Sequence, residues 1–298
     1  MVTDHTFHRM ESLTRHIDRL NAMLRTNRCG RACRWFDTVD STNSEALSWA
    51  RDGAAAGSLV VADFQKQGRG RFKRSWTADR GRNLTFSLVL DADEVRAHLE
   101  LLPIALAVAT AETLGEIVAP HQPLIKWPND VLLAGRKVCG ILIESSLPSH
   151  SDRRGGHVVA GIGINVNQEN FPDEIAEVAT SIFQVLGRQT DRILLLSEIL
   201  LSIESVLAET ATGVTQALRD RYEARMAGIG ETVRFSYVER DRATEGTLLG
   251  IDDAGGLRIR TQDGIQTLRA GEVTLREDRR GHSVIARVSD QSRPAPSS

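Results

Sequence analysis

Between Gln65 and Trp76 the chain reads Gln-Lys-Gln-Gly-Arg-Gly-Arg-Phe-Lys-Arg-Ser-Trp. Gly68 and Gly70 leave the backbone free to come close to a ligand. Arg69, Arg71, Lys73 and Arg74 set cations among and after them. Such a loop suits a phosphate or carboxylate. It is not a P-loop, because G-x-x-x-x-G-K-[ST] is absent. It is not a dinucleotide fingerprint either, because no third, helix-opening glycine follows. A second charged segment runs from Lys126 through Trp127, Pro128, Asn129 and Asp130 to Lys137 and Glu144. Two lysines and an Asn-Asp pair flank a turn there, and Gly140 would let a neighbour approach its strand closely. Alone, this segment reads as a hairpin with solvated lysines. Beside the glycine-arginine loop, it reads as the other half of a site for anionic substrates.

Composition narrows the class. The 298 residues suffice for one large domain and a small one. Hydrophobic residues make up 41% and charged residues 26%, with a net charge of −2, so a general nucleic-acid binder is not expected. Cys29, Cys33 and Cys139 show no zinc spacing and read as reduced thiols. No His-x-x-x-His pair stands ready for a metal, so no metal ligands are assigned. The segment Leu101–Val118 is too polar for a bilayer, and the N-terminus, with Asp4 and Glu11, lacks a secretory core. A cytoplasmic location and no membrane partner are therefore expected. The arginines at 9, 15, 19, 25, 28, 31 and 34 read as a solvated basic face.

Periodicity supplies the elements that must carry these residues. Helical spacing runs over residues 9–25, and Arg34-Trp35-Phe36 reads as a short strand. Thr42 with Glu45 resembles a capping box that opens a helix ending at Gly53. Strands follow at Leu59–Ala62, which leads into the glycine-arginine loop, and at Leu84–Leu90. One long helix is expected from about Ala92 to Ile117, broken or kinked near Pro103. Strands at Leu124–Trp127, Val138–Glu144 and Val158–Val166 come next, with residues 145–156 as a hairpin loop. Two amphipathic helices, Ile193–Ala211 and Val214–Met226, close this part. Short alternating strands between residues 231 and 276, punctuated by glycines, read as a small barrel. The fold class is thus α+β, a mixed sheet flanked by helices with a small C-terminal barrel. The expected divisions are a helical segment at 1–30, a catalytic domain at 31–226, the barrel domain at 227–278 and a disordered tail at 279–298.

Taken together, the motifs resemble the biotin protein ligases (biotin–[acetyl-CoA-carboxylase] ligases). Gly68–Trp76 is similar to the family's glycine-arginine loop, and Lys126–Asp130 to its K-W-P-N-D block. Arg136–Glu144 resembles its R-K-x-x-G-I-L-[IV]-E strand, Gly161–Asn167 its G-x-G-I-N strand, and Asp40–Asn43 its D-S-T-N helix entry. The five blocks stand in the family's order, and the C-terminal strands fit its SH3-like domain. One departure is Lys73, where the family has a third glycine; if that position needs φ above zero, lysine costs on the order of 1 kcal/mol.

The resemblance implies a two-step reaction. Biotin's carboxylate attacks the α-phosphate of ATP to give biotinyl-5′-AMP, and a lysine of a biotin carboxyl carrier domain then displaces AMP. Mg2+ is expected with the phosphates. By position, Lys137 and Arg71 are the catalytic cations. Ser41, Thr42, Asn43, Gln65, Arg69, Gly70, Arg71 and Lys137 correspond to the biotin site. Gly68, Arg71, Lys126, Asn129, Asp130 and Asn165 correspond to the nucleotide site. Asn83 and Asn165 either orient the nucleotide or hold structure, and Trp76 and Trp127 either line the pocket or pack the core. The resemblance allows a homodimer. Three alternatives stay open: a lipoate or octanoate ligase or transferase of the same architecture, a biotin-responsive repressor, and a non-catalytic binding module. The second is disfavoured, since a helix-turn-helix domain with its linker needs roughly 60 residues and forty precede Ser41. No DNA partner is therefore expected.

Overall fold

The computed structural model describes residues 4–146, 156–210, 215–237, 244–269, 271–274 and 285–288. In chain order its first elements are α1 (Asp4–Met23), β1 (Cys33–Phe36), α2 (Thr42–Arg51), β2 (Leu59–Ala62), β3 (Leu84–Leu90), α3 (Ala92–Val95) and α4 (Leu102–Ile117). Then follow β4 (Leu124–Lys126), β5 (Asp130–Leu133), β6 (Arg136–Ser146), β7 (His157–Ile164), α5 (Asp173–Ala176), α6 (Ile182–Leu186) and α7 (Arg192–Thr210). The chain divides into two compact units, Met1–Ile125 with Asn129–Gly213, and Lys126–Pro128 with Val214–Ser298.

Strands β1 to β7 form one mixed sheet in the order β1-β2-β3-β7-β6-β5-β4. β1 runs parallel to β2, and the pairs β2–β3, β3–β7, β7–β6 and β6–β5 are antiparallel. Side chains alternate between the faces of a strand, and here the alternation separates two surfaces of different chemistry. One face of β3, β7 and β6 carries Leu84, Phe86, Leu88, Ile162, Ile164, Cys139 and Ile141, all buried. Each such large apolar side chain stabilises the fold by roughly 1.5–3 kcal/mol. α4, which packs on β5, β6 and α7, covers this side. On the other face, Ala46 and Ala50 of α2 pack on Val60, Val89 and Val159. Stepping by two from those valines, the same face presents Ser87 and Thr85 on β3, paired with Gly161 and Gly163 on β7. It continues across β6 as Glu144, Leu142 and Gly140. The sheet is apolar beneath α2 and turns to glycine and polar groups beyond it.

Three local expectations meet different outcomes. The long helix from Ala92 breaks into α3, a 3-10 turn at Arg96–Leu101, and α4, with Pro103 in the first turn of α4. The break falls just before Pro103, and the proline starts α4, where its missing N–H would be unpaired in a first turn anyway. The expected capping box is not formed, since Ser41 is the N-cap and makes no side-chain cap bond. Residues 147–155 of the expected hairpin loop lie outside the described residues.

The second unit contains α8 (Gln216–Glu223), β8 (Thr232–Tyr237), β9 (Thr244–Ile251), β10 (Leu257–Thr261), β11 (Gly264–Leu268), β12 (Gly271–Thr274) and β13 (Ile285–Val288). The six strands form an open sheet, order β11-β10-β9-β8-β13-β12, and not the expected barrel. Closure would require β12 to pair with β11. Instead β13 lies between β8 and β12, parallel to β8 and antiparallel to β12, and β11 and β12 remain edges. β13 falls within the segment 279–298 expected to be a disordered tail; the rest of that segment lies outside the described residues.

Candidate active site

The glycines of the polar face make its floor. A Cβ on Gly161 would land on the Asn43 amide, and one on Gly163 would land on the Trp76 indole. At Gly140 a Cβ would sit 3.0 Å from Lys137 Nζ and 3.3 Å from Trp76 Cζ3. Gly140 and Gly163 are direct partners across β6 and β7, so Trp76 lies in a slot that two facing glycines leave open. Only hydrogen at these positions lets the side chains lie flat against the strands.

At one end of this floor Gln65, just beyond β2, caps α2. Its Oε1 accepts the Thr42 N–H at 2.7 Å and the Thr42 hydroxyl at 3.1 Å. Ser87 Oγ lies 2.8 Å from Thr42 Oγ1 and donates to Asn43 Oδ1 at 2.6 Å. Ser41, Thr42 and Asn43 are all buried. The glycine-arginine loop then forms a small hairpin. Trp76 N–H donates to the Gly68 carbonyl at 2.9 Å, Gly70 N–H donates to the Arg74 carbonyl at 2.7 Å, and Arg69 bridges Ser75. A Cβ on Gly68 would collide with the Trp76 carbonyl, whereas Gly70 has ordinary room at φ −118°. The left-handed backbone falls on Phe72, at φ 55°, whose ring is exposed and carries the Arg71 guanidinium 5.0 Å from its centroid.

The cations converge on the K-W-P-N-D turn. Lys137 Nζ lies 2.7 Å from Asp130 Oδ1 and 5.8 Å from the Trp76 ring centroid. Arg71 donates to Asn129 Oδ1 at 3.0 Å, while Asn129 Nδ2 donates to the Ile141 carbonyl at 2.8 Å. Backbone bonds hold the base of the lysine: Lys137 N–H donates to Val178 and Thr180 N–H donates back to Lys137. Residues 178–180 come from the stretch between α5 and α6, two short helices absent from the sequence reading.

Structure thus gathers Lys137, Arg71, Asn129 and Asp130 at one end, and Thr42, Asn43, Gln65 and Arg69 at the other, with Gly68 and Gly70 in the hairpin between. Lys126 ends β4 and is half-buried. Asn165 donates from Nδ2 to the Thr180 carbonyl, so its amide nitrogen serves the fold. Asn83 bonds Gln168 and accepts Val166 N–H, which is likewise structural. Trp127 is buried, with its indole N–H on the Gly255 carbonyl. Two residues of the site were missed. Ser87 has no motif around it, and Glu144 closes a matched block without a role of its own. Their signal was the alternation of β3 and β6, which puts both on the face of α2.

Among the described residues no group of three His, Cys, Asp or Glu side chains is placed to hold a metal ion. Nor is any helix among them long and apolar enough to cross a membrane. Burial pushes the Cys29 and Cys33 thiols up to about 12 and Cys139 higher still. None of the three is a thiolate nucleophile near neutrality.

Residues 35–165 match the model of the Biotin/lipoate A/B protein ligase family, and residues 228–276 match that of the Biotin protein ligase C terminal domain. The Bifunctional ligase/repressor BirA of Bacillus subtilis is 36% identical over 254 residues, covering 85% of this chain and 76% of its own. The chain belongs to the biotin protein ligase family. A Paracoccus denitrificans member, named biotin–[acetyl-CoA-carboxylase] ligase, is 36% identical over 243 residues, covering 79% of this chain and 97% of its own. The Aquifex aeolicus biotin protein ligase, solved with biotin and ATP, superposes with a TM-score of 0.71 at 30% identity, covering 87% of this chain and all of its own. The match at residues 228–276 removes the lipoate alternative, because that C-terminal model belongs to biotin protein ligases.

Proposed function

We infer that the protein is an ATP-dependent biotin–protein ligase acting through biotinyl-5′-AMP. The observation that carries this reading is a pair of cations, Lys137 and Arg71, brought from β6 and the glycine-arginine hairpin onto the neighbouring residues Asp130 and Asn129. In the first step a biotin carboxylate oxygen bonds to the α-phosphorus of ATP, and the bond to the β-phosphate oxygen breaks to release pyrophosphate. Two anions must meet, and fixed positive charge offsets their repulsion as it builds on the phosphorus. Lys137 serves the carboxylate and α-phosphate, and Arg71 the α-phosphate. In the second step a carrier lysine amine attacks the acyl carbon, and AMP leaves.

Thr42, Asn43 and Gln65 offer amide and hydroxyl groups suited to the ureido ring of biotin, and the hairpin Gly68–Trp76 shields the anhydride from water. Asn165 completes the nucleotide side of this reading. Mg2+ enters with ATP as part of the substrate. That role fits a site whose carboxylate beside Lys137 is Asp130, since Mg2+ is commonly held by one or two carboxylates and substrate phosphates.

The proposed partner is the biotin carboxyl carrier domain of acetyl-CoA carboxylase, in keeping with the name of the Paracoccus relative. The residues before Ser41 supply α1 and β1, and α1 packs on β1 and α7, so no DNA-binding role is proposed for them. A specific gel-shift complex in the presence of biotinyl-AMP would overturn that point. The ligase reading is tested by mass spectrometry of purified carrier domains incubated with ATP, Mg2+ and biotin. Wild-type protein should add one biotin, and Lys137→Ala should lower the adenylation rate by about 100-fold or more. An unmodified carrier, or full activity in the variant, defeats the mechanism.

A further inference from the structure

The hydrogen bonds of the site run without a break from Gln65 to the hairpin, and they end on one carboxylate. Glu144 pairs with Val159 across β6 and β7, so it stands on the α2 face of the sheet. Its Oε2 accepts from Asn43 Nδ2 at 2.7 Å and from Arg69 Nη2 at 2.8 Å, and Oε1 lies 3.2 Å from the same Nη2. Arg69 Nη1 donates to Ser44 Oγ at 2.8 Å, which ties the guanidinium to the first turn of α2. Asn43 is fixed at both ends, its NH2 on Glu144 and its Oδ1 on Ser87. A carboxylate can only accept. It therefore selects one of the two amide orientations of Asn43 and leaves Oδ1 for Ser87. The same carboxylate tethers Arg69, the second residue of the hairpin.

Both members of the Arg69–Glu144 pair are partly exposed, at 39% and 29% of the side chain. Screening makes such a pair a weak contributor to stability. What it supplies is geometry, because two groups from separate elements share one anchor.

We propose that Glu144 is a positioning residue of the biotin site: it sets the Asn43 amide and holds the base of the glycine-arginine hairpin over the glycine floor. The assignment rests on the biotin-ligase reading above and deepens it. Glu144 touches no reacting atom, so its loss acts on biotin binding and spares the nucleotide steps.

The test is steady-state biotinylation of a carrier domain by wild type, Glu144→Gln and Glu144→Asp, with biotin and ATP varied separately and thermal melting of each protein recorded. Glutamine keeps the size but must aim a donor at either Asn43 or Arg69. It should raise KM for biotin roughly tenfold, as expected for the loss of a charge-assisted bond, with kcat and KM for ATP within about twofold. Aspartate, which keeps the charge on a shorter stem, should recover part of the loss. The double variant with Asn43→Ala should lose less biotin affinity than the two single losses combined, since residues of one network are not additive. An unchanged KM for biotin in Glu144→Gln overturns the proposal. So does a loss that falls equally on KM for ATP and on melting temperature, which would make Glu144 a general structural residue. If wild-type protein biotinylates no carrier, the ligase reading itself fails, which the first assay reports separately.

Discussion

At the residue scale, two cations and two glycines set the geometry around the hairpin. Lys137 meets Asp130 and Arg71 meets Asn129, all four drawn from dense charged motifs. Gly68 and Gly70 look equivalent in the sequence. In the hairpin, however, Gly68 lies against the Trp76 carbonyl, while Gly70 adopts an extended conformation with room for a methyl. Gly68→Ala must push the two strands of the hairpin apart and should cost about 1–3 kcal/mol in urea unfolding. Gly70→Ala should stay within about 0.5 kcal/mol of wild type. Equal midpoints for the two variants would contradict the hairpin closure. Lys73 looked like the residue that strains this loop, yet the left-handed turn is made by Phe72. Motif alignment locates a departure from a family pattern, and only the backbone shows which residue carries the conformation.

At the element scale, helices and strands with long periodic runs were readable: α1, α7, β3, β6 and β7 all lie where apolar spacing put them. α5 and α6 escaped because helices of four and five residues have too few turns to show a period. The cap of α2 escaped because its acceptor, Gln65, is distant in sequence. Gln65→Ala leaves the Thr42 N–H without that acceptor and should lower stability by about 1 kcal/mol, measured by denaturant unfolding. A second prediction belongs to α1 and β1. His16 packs against Trp35 with the rings tilted by 49° and their centroids 4.8 Å apart. Burial holds its pKa below the ordinary value; Arg192 and Arg19 push the same way, and Asp63 opposes them. The unfolded chain therefore binds this proton at a higher pH than the folded one. Stability from this group is present above about pH 6.5 and is lost as pH falls from there through the lower folded value. Wild type should lose more stability between pH 7.5 and 5.5 than His16→Gln does. Parallel losses in the two proteins would show that His16 is not the group responsible.

At the scale of the whole molecule, glycine-punctuated alternation pointed to β8 through β12, but not to β13 or to how the strands join. Whether a sheet closes depends on what its last edge meets, and β13 supplies a partner that composition had assigned to a tail. The division of the chain was equally hidden. A contiguous catalytic domain was expected over 31–226, yet Lys126–Pro128 group with the second unit. Within that unit Trp127 is buried and donates its indole N–H to the Gly255 carbonyl at 2.8 Å. Gly255 and Gly256 sit in the turn between β9 and β10, where Asp252 Oδ1 accepts the Gly256 N–H at 2.8 Å. The tryptophan of the K-W-P-N-D block therefore helps to hold a turn far along the chain, a pairing that sequence separation conceals. Trp127→Phe retains most of the apolar ring but leaves that buried carbonyl without its donor, at a cost of about 1–3 kcal/mol. Because the loss is local to the turn, hydrogen exchange should quicken at the amides of Gly255 and Gly256 while the amides of β3 and β7 keep their protection. Unchanged exchange at the turn would mean that Trp127 contributes volume alone. A uniform rise across both units would mean that its loss is felt as global destabilisation, and the local tie would be abandoned.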